Sequence, residues 1–490
     1  MPTPRRRSDS VVSCIEPLEA RRLLSAVPFT KVTIDAIDIT KQRGPKGFGD
    51  FNGDGLTDLI AYAPNEGTVW YEAPTYERHF ISSGGGWNPA GVEDGPGGGE
   101  AGAAADVDGD GDLDWIASGL SWFENPLNQT GRVNATWRER RIATVDDHDI
   151  VPADFNNDGR IDIATVGGIY QQIGFNSWKL LGNDRFTQRG KHGSGSAAAD
   201  MNGDGFIDLI GATSDHQLAW WENPLGEGRA LHGAWRLHTI APGFAAGNSI
   251  TVADMNADGR LDLVYDSPYS SGGLFWYQAP TAPTSGIWRR RTIDATVERV
   301  HQGGIHVADV DGNGTADVII SEMEQSPQKR IAVYYNNGRG TGWQQQVLAT
   351  TGGINLAVGD ADNDGDVDLL NSNHGVYGAS TALELFRNDL DGRAIVSVGG
   401  ARTSLRADGK TEVSFDITRT NSKRALTVNY ALAASSGDPA SRSVKLAKGR
   451  AMATLTFVVD SKKNSSVELT LASDDAYVVG PSDNHMVELA

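Results

Sequence analysis

Seven short stretches of this chain place carboxylates and amides at alternate positions around a glycine. The pattern Asp-x-Asp/Asn-x-Asp/Asn-Gly-x-x-Asp begins at Asp50, Asp106, Asp154, Asp200, Asp254, Asp309 and Asp360. Side-chain oxygens at positions 1, 3, 5 and 9, with a main-chain carbonyl at position 7, can converge on one hard cation. Glycine at position 6 permits the sharp turn between them. The first loop offers Asp50, Asn52, Asp54 and Asp58, with Leu56 at position 7; the second offers Asp106, Asp108, Asp110 and Asp114, with Asp112. The third has Asp154, Asn156, Asp158, Arg160 and Asp162, and the fourth Asp200, Asn202, Asp204, Phe206 and Asp208. The fifth has Asp254, Asn256, Asp258, Arg260 and Asp262, the sixth Asp309, Asp311, Asn313, Thr315 and Asp317, and the seventh Asp360, Asp362, Asp364, Asp366 and Asp368. All-oxygen sets of this kind select Ca²⁺ over zinc or copper, so up to seven structural Ca²⁺ ions are expected.

Two tests sharpen that expectation. An EF-hand loop begins alike but needs a bidentate Glu at position 12 and flanking helices. Position 12 here is Ala61, Ala117, Thr165, Gly211, Tyr265, Ile320 or Asn371, each in a strand-like run, so the EF-hand is excluded. Without a cation the loops would crowd 25 of the 63 acidic residues into tight turns, where like charges repel. Seven Ca²⁺ would move the formal charge from −20 to −6.

The elements that carry these loops repeat with them. Successive loops start 56, 48, 46, 54, 55 and 51 residues apart, a period suited to propeller blades of four strands. Small and β-branched residues precede each loop, as in Ile305-His306-Val307-Ala308, and a second apolar run follows, as in Asp317-Val318-Ile319-Ile320. A third run is aromatic: Trp70-Tyr71, Trp122-Phe123, Trp220-Trp221, Trp276-Tyr277, Tyr334-Tyr335. A fourth opens on an aromatic with an aliphatic five residues later, as in Trp137 to Ile142 or Trp235 to Ile240; Phe186 with Lys191 heads the copy in the third unit. The seventh unit has no fourth run after Leu385-Phe386, but Phe29 to Ile34 fits it. The N-terminal segment is therefore expected to close the ring and remove its free edge. The fold class expected is all-β: a seven-bladed β-propeller over 28–390, then a small immunoglobulin-like β-sandwich over 391–490, where apolar residues alternate (Val413, Phe415, Ile417; Leu426, Val428, Tyr430).

Composition narrows the function classes. With 43 Lys+Arg against 63 Asp+Glu, the chain lacks the basic surface that a nucleic-acid partner requires. A single cysteine, Cys14, excludes an intrachain disulfide, and no apolar run is long enough for a transmembrane helix. The 59 glycines and the lack of a long 3.6-residue periodicity fit short strands joined by tight turns.

The loop, its following apolar strand and the aromatic third strand together resemble FG-GAP/VCBS repeats, including those of integrin α-type propellers, over about 29–390. Residues Ile15-Glu16-Pro17-Leu18-Glu19-Ala20-Arg21-Arg22-Leu23-Leu24-Ser25-Ala26 resemble a LEPR-XLL export motif, which implies an extracytoplasmic destination and makes 1–27 a leader. The C-terminal region resembles a Calx-β domain through Thr427-Val428-Asn429-Tyr430, Ser436-Gly437-Asp438 and Tyr477-Val478-Val479-Gly480. That resemblance raises a Ca²⁺ cluster of Asp438, Asp460, Asp474 and Asp475, although Pro439 stands where the family usually carries an aromatic. Together these imply a secreted or cell-surface monomer that binds a glycan or protein ligand.

The competing reading is an extracellular carbohydrate-active enzyme, because the FG-GAP-like fold includes lyases and sugar dehydratases. Its acid–base groups would come from segments before each first strand: Glu93, Asp94, Glu100, Asp147, His148, Asp149, His192, Asn248, His301 and Gln302. They form no repeated or motif-spaced triad. The third-strand aromatics suit packing between blades better than sugar stacking. The basic runs Arg138-Glu139-Arg140-Arg141 and Arg289-Arg290-Arg291 suit charged outer edges.

Overall fold

The computed structural model describes residues 27–36, 46–63, 67–81, 102–117, 119–133, 136–143, 150–165, 168–181, 196–213, 217–242, 249–266, 272–373, 382–390, 394–419, 425–435, 440–448, 450–472, 477–479 and 484–489. Among them the protein is all-β, with nine four-stranded sheets, one short α-helical turn at Leu127–Thr130 and one 3-10 turn at Pro224–Glu227. No helix among the described residues is long and apolar enough to cross a membrane.

Seven of the sheets carry the seven loops. Each loop joins the first strand of its sheet to the second, and pairing then runs antiparallel outward. The first sheet is Lys46–Gly49, Asp58–Ala63, Gly67–Glu72 and Glu77–Phe80. In the seventh, Ile354–Gly359, Asp368–Ser372 and Leu383–Asn388 are followed by the N-terminal strand Phe29–Asp35, paired antiparallel from Phe29↔Asn388 to Asp35↔Leu383. The first strands adjoin one another in order: Lys46–Gly49, Gly102–Ala105, Val151–Ala153, Ala197–Ala199, Ile250–Ala253, Val300–Ala308 and Ile354–Gly359. The last of these returns to the first.

Side-chain size explains this layering. First strands crowd together, and those of the first, second and fourth sheets are rich in Gly and Ala; a Cβ on Gly47 would come 3.0 Å from the Trp115 ring of the next sheet. Second and third strands are buried on both faces and supply the bulk: Trp70, Trp115, Trp122, Trp220 and Trp276 are at most 1% exposed. Seven apolar clusters result, each shared by two neighbouring sheets. One, with Leu59, Tyr71, Leu370 and Leu385, joins the first sheet to the seventh. The fully buried Lys46 ammonium reinforces that seam, donating to the carbonyls of Ile354 (2.7 Å) and Asn355 (3.0 Å). The fourth strands of the second and fifth sheets, Arg138–Arg141 and Arg289–Asp294, are mostly exposed and charged, which discourages edge-to-edge pairing.

The third sheet departs from the expected pattern. Its outer strand is Ser177–Leu181 rather than a segment headed by Phe186, which lies outside the described residues, as does Lys191. A two-residue turn, Phe175-Asn176, with Asn176 at φ 44°, reverses the chain directly after Gly168–Gly174 and leaves no room for a longer connection.

The remaining two sheets share one core of their own. Strands Met452–Val459, Thr411–Arg419, Ala394–Leu405 and Tyr477–Val479 form one, and Ala440–Leu446, Leu426–Ala434, Ser466–Leu471 and Asn484–Glu488 the other. Val413, Phe415 and Ile417 from the first pack with Val428, Tyr430 and Leu469 from the second.

Candidate metal centres in the seven loops

Every loop is shaped by its first aspartate. The N–H of position 5 donates to one oxygen of that carboxylate at 2.9–3.1 Å, and the glycine N–H of position 6 donates to the other at 2.6–3.1 Å. The glycines at position 6 all lie at positive φ, from 82° to 97°, where a side chain would be strained.

Position 9 has a second task. All seven of these aspartates, Asp58, Asp114, Asp162, Asp208, Asp262, Asp317 and Asp368, are fully buried. In each, one oxygen accepts from the backbone N–H at the end of the third strand at 2.7–2.8 Å (Ala73, Asn125, Gln172, Asn223, Ala279, Asn336, Asn388). In six, the other oxygen accepts from the position-2 N–H at 2.7–3.0 Å. The position-9 carboxylate therefore staples the loop to the sheet. Burial pushes these acids up, to about 7 for Asp58, Asp162, Asp208, Asp262 and Asp317 and about 8 for Asp114, against the downward pull of the backbone donors. Burial, then the neighbouring Asp362 charge, raises Asp368 well above the carboxylate range.

In the second, sixth and seventh loops the carboxylates at positions 1, 3 and 9 converge, with ligand oxygens within 4.8 Å of one another: Asp106, Asp108 and Asp114; Asp309, Asp311 and Asp317; Asp360, Asp362 and Asp368. Among the described residues, the buried Oδ1 atoms of Asp112 and Asp362, and Oδ2 of Asp162, meet no donor at good hydrogen-bond geometry. Asp112 and Asp362 are 6% and 7% exposed, and burial raises them to about 7 and about 6. The converging carboxylate oxygens of positions 1, 3 and 9 fit a hard divalent cation.

The loops are not equivalent. In the third and fifth, the position-7 arginine turns back onto the position-5 carboxylate: Arg160 Nη2 lies 2.5 Å from Asp158 Oδ2, and Arg260 pairs with Asp258. In the fifth loop Asn256 Nδ2 also donates to Asp262 Oδ2 at 3.0 Å. These two loops thus bring part of their neutralising charge with them.

Residues just beyond the nine-residue pattern hold the loops in place. At the end of the third strand, Asn125, Asn223, Asn336 and Asn388 reach back through Nδ2 to the position-2 carbonyl of the preceding loop: Phe51 (2.9 Å), Phe155 (2.8 Å), Met255 (2.8 Å) and Val310 (2.8 Å). Gln172 does the same to Val107 at 2.9 Å. Their sequence signal is an amide at the end of the aromatic strand in five of the seven units, the first and fifth having Ala73 and Ala279 there. Asn223→Ala leaves two buried carbonyls without their donor, at Phe155 and Ile207, and is expected to cost about 2–4 kcal/mol in urea unfolding with calcium present.

The other candidates are less informative. Glu93, Asp94, Glu100, Asp147, His148, Asp149, His192 and Asn248 lie outside the described residues, as do Asp438, Asp474, Asp475 and the export motif. His301 and Gln302 lie on the first strand of the sixth sheet. On the same strand, His306 Nε2 bonds the carbonyls of Gly303 (3.0 Å) and Leu356 (2.6 Å), tying that sheet to the seventh. Asp460 caps its own turn by accepting from the Lys462 N–H at 3.1 Å.

Comparison with known proteins fits the repeat. The FG-GAP-like repeat matches residues 200–265 and 309–370, and the FG-GAP repeat matches 47–75, so five of the seven loops fall inside matched segments. No curated protein matches the sequence. Many solved structures are loosely similar, among them the following three. AofleA from Arthrobotrys oligospora has a TM-score of 0.36 and 10% identity, over 66% of this chain and 89% of that one. A Bacteroides ovatus xyloglucan-locus GH43B has 0.31 and 11%, over 67% and 85%. An engineered GH43 glycoside hydrolase with endo-xylanase and exo-arabinofuranosidase activity has 0.27 and 12%, over 92% and 88%.

Proposed function

We propose that this chain is a secreted or cell-surface, Ca²⁺-stabilised seven-bladed propeller over 28–390 with a Calx-β-like sandwich over 391–490, acting as a binding or adhesion module for a glycan or protein. The observation that carries this reading is the convergence of Asp106, Asp108 and Asp114, repeated in the sixth and seventh loops. The FG-GAP repeats support it, and the export-like residues 15–26 motivate the location. Asp50, Asn52, Asp54 and Asp58, with their counterparts in the other loops, would hold the ion. Calcium would supply the positive charge that lets several carboxylates share one turn. Its role is structural, because the loops lie between strands that build the ring.

Two described ionisable groups, the buried Glu322 and the partly exposed His306, work for the fold. Glu322 grips Arg330 (2.8 Å) and accepts from the Glu298 N–H (3.0 Å), and His306 bridges two backbone carbonyls. The test is to pass the full chain over arrayed polysaccharides and matrix proteins in calcium and in EDTA, assaying each retained sugar for new reducing ends or unsaturated products. Calcium-dependent retention without product is expected. Product formation would replace this reading with the carbohydrate-active enzyme, and retention unaltered by EDTA would separate ligand binding from the loops.

A further inference from the structure

Resting on the calcium reading, we propose that Glu72 and Glu222 are positioning residues for the cation loops of the first and fourth sheets. Each holds a position-3 asparagine with its carbonyl oxygen turned into the loop. An asparagine serves a cation only through Oδ1; turned over, it presents an NH₂ group that repels the ion. Aspartate at position 3 has no such wrong face. Loops with asparagine there need something that fixes the amide, and an anionic acceptor for Nδ2 does so.

The first and fourth sheets provide that acceptor by the same construction. Asn52 Nδ2 donates to Glu72 Oε1 at 3.2 Å, and Asn202 Nδ2 to Glu222 Oε1 at 3.4 Å. Each amide oxygen accepts the position-5 N–H at 3.0 Å. Each glutamate is itself held through its other oxygen: Glu72 by His79 Nε2 at 2.8 Å, Glu222 by His238 Nε2 at 2.7 Å. The two imidazoles lie flat on the buried Trp70 and Trp220, with centroids 4.4 and 4.3 Å apart and planes 23° and 21° from parallel. Tryptophan, histidine, glutamate and asparagine thus form a chain from the packed third strand to the loop, and the ring holds it twice.

The other loops make the contrast. In the second, position 3 is Asp108 and no amide needs orienting. There Glu124, at the equivalent place, is taken up by Arg140 (2.6 Å) and Gln129 (2.8 Å). In the fifth, the third strand ends in Gln278 instead of glutamate, and Asn256 has its NH₂ turned onto Asp262. In the third, Asn156 keeps the favourable turn through Asp158 alone, and Arg160 pins that carboxylate. Asn52 and Asn202 also donate to their position-5 aspartates, at 3.3 and 3.0 Å. A cation that draws on Asp54 or Asp204 leaves the glutamate as the remaining acceptor.

The experiment is equilibrium dialysis of the full chain with radioactive calcium alone, with unfolding in EDTA as a control. Glu72→Gln/Glu222→Gln is expected to weaken two of the bound ions by about 10-fold or more, the usual scale for outer-shell partners of metal ligands. Adding Asn52→Asp/Asn202→Asp to that background should restore both, because aspartate presents oxygen either way. A glutamate needed only to pack against His79 and His238 would not be rescued, so failure of rescue overturns the proposal, as does unchanged binding in the glutamine variant. If the double variant does not fold, Glu72→Gln alone reads the loss and rescue of one ion. A wild-type chain that binds no calcium fails at the first titration and removes the metal reading itself.

Discussion

In EDTA the protein is expected to melt at least roughly 10 °C lower than in saturating calcium. An ion that binds only the folded state at a hundred times its dissociation constant contributes about 2.7 kcal/mol. The second, sixth and seventh loops, whose carboxylates converge, together contribute about 8 kcal/mol on that scale. The entropy of unfolding a ring of this length is roughly 0.75 kcal/mol per degree, which converts 8 kcal/mol to about 10 °C. Further occupied loops add to the shift. The metal-free form should also show a pH slope. Burial raises Asp58, Asp162, Asp208, Asp262 and Asp317 from the ordinary 3.8 to about 7, so the fold prefers them protonated. Stability in EDTA therefore falls as pH climbs from about 4 to about 7. Calcium, by stabilising the ionised form, should flatten that slope. Calorimetric unfolding across pH, with and without the ion, reads both effects. Equal melting temperatures with no bound metal would remove the calcium assignment.

The loops and the four-strand rhythm around them were legible because each rests on a local requirement. Only glycine tolerates the backbone at Gly55 or Gly205, and alternate oxygens must flank it. What stayed hidden depends on partners distant in sequence. Asn223 is paired across 68 residues with Phe155, and nothing in the local Glu222-Asn223-Pro224 stretch distinguishes a latch from a turn. Likewise the reversal Gly174-Phe175-Asn176-Ser177 follows the third strand directly, without the longer connection of the neighbouring sheets, so the aromatic spacing places the third sheet's outer strand at Phe186 instead of Ser177–Leu181. The difference between loops was hidden for a further reason. Position 7 was read for its carbonyl, whereas Arg160 and Arg260 act through their side chains.

Position 9 shows how a staple and a ligand can be told apart within one loop. In the fourth loop Asp208 is fully buried and accepts from the Met201 N–H at 2.9 Å and the Asn223 N–H at 2.8 Å. Asp208→Asn removes an unfavourable buried charge. It also leaves one oxygen for two fixed N–H donors and sets an NH₂ group against the other. The unpaired, desolvated donor dominates, because each such group costs about 1–3 kcal/mol and the sheet cannot relax around it. Asp208→Asn is therefore expected to lose about 2–4 kcal/mol even in EDTA, where no ion is involved. Asp204, at position 5, is exposed; its Oδ1 accepts the Phe206 N–H at 3.0 Å, which an asparagine oxygen can also take, and its Oδ2 accepts Asn202 Nδ2 at 3.0 Å at the surface, where water can replace it. Asp204→Asn should stay within about 0.5 kcal/mol of wild type in EDTA and fall behind it only when calcium is added. Urea unfolding of the two variants in both conditions separates the roles. Equal losses in EDTA would show that position 9 is no staple, and an Asp204→Asn variant that gains as much from calcium as wild type would show that the position-5 charge does not hold the ion.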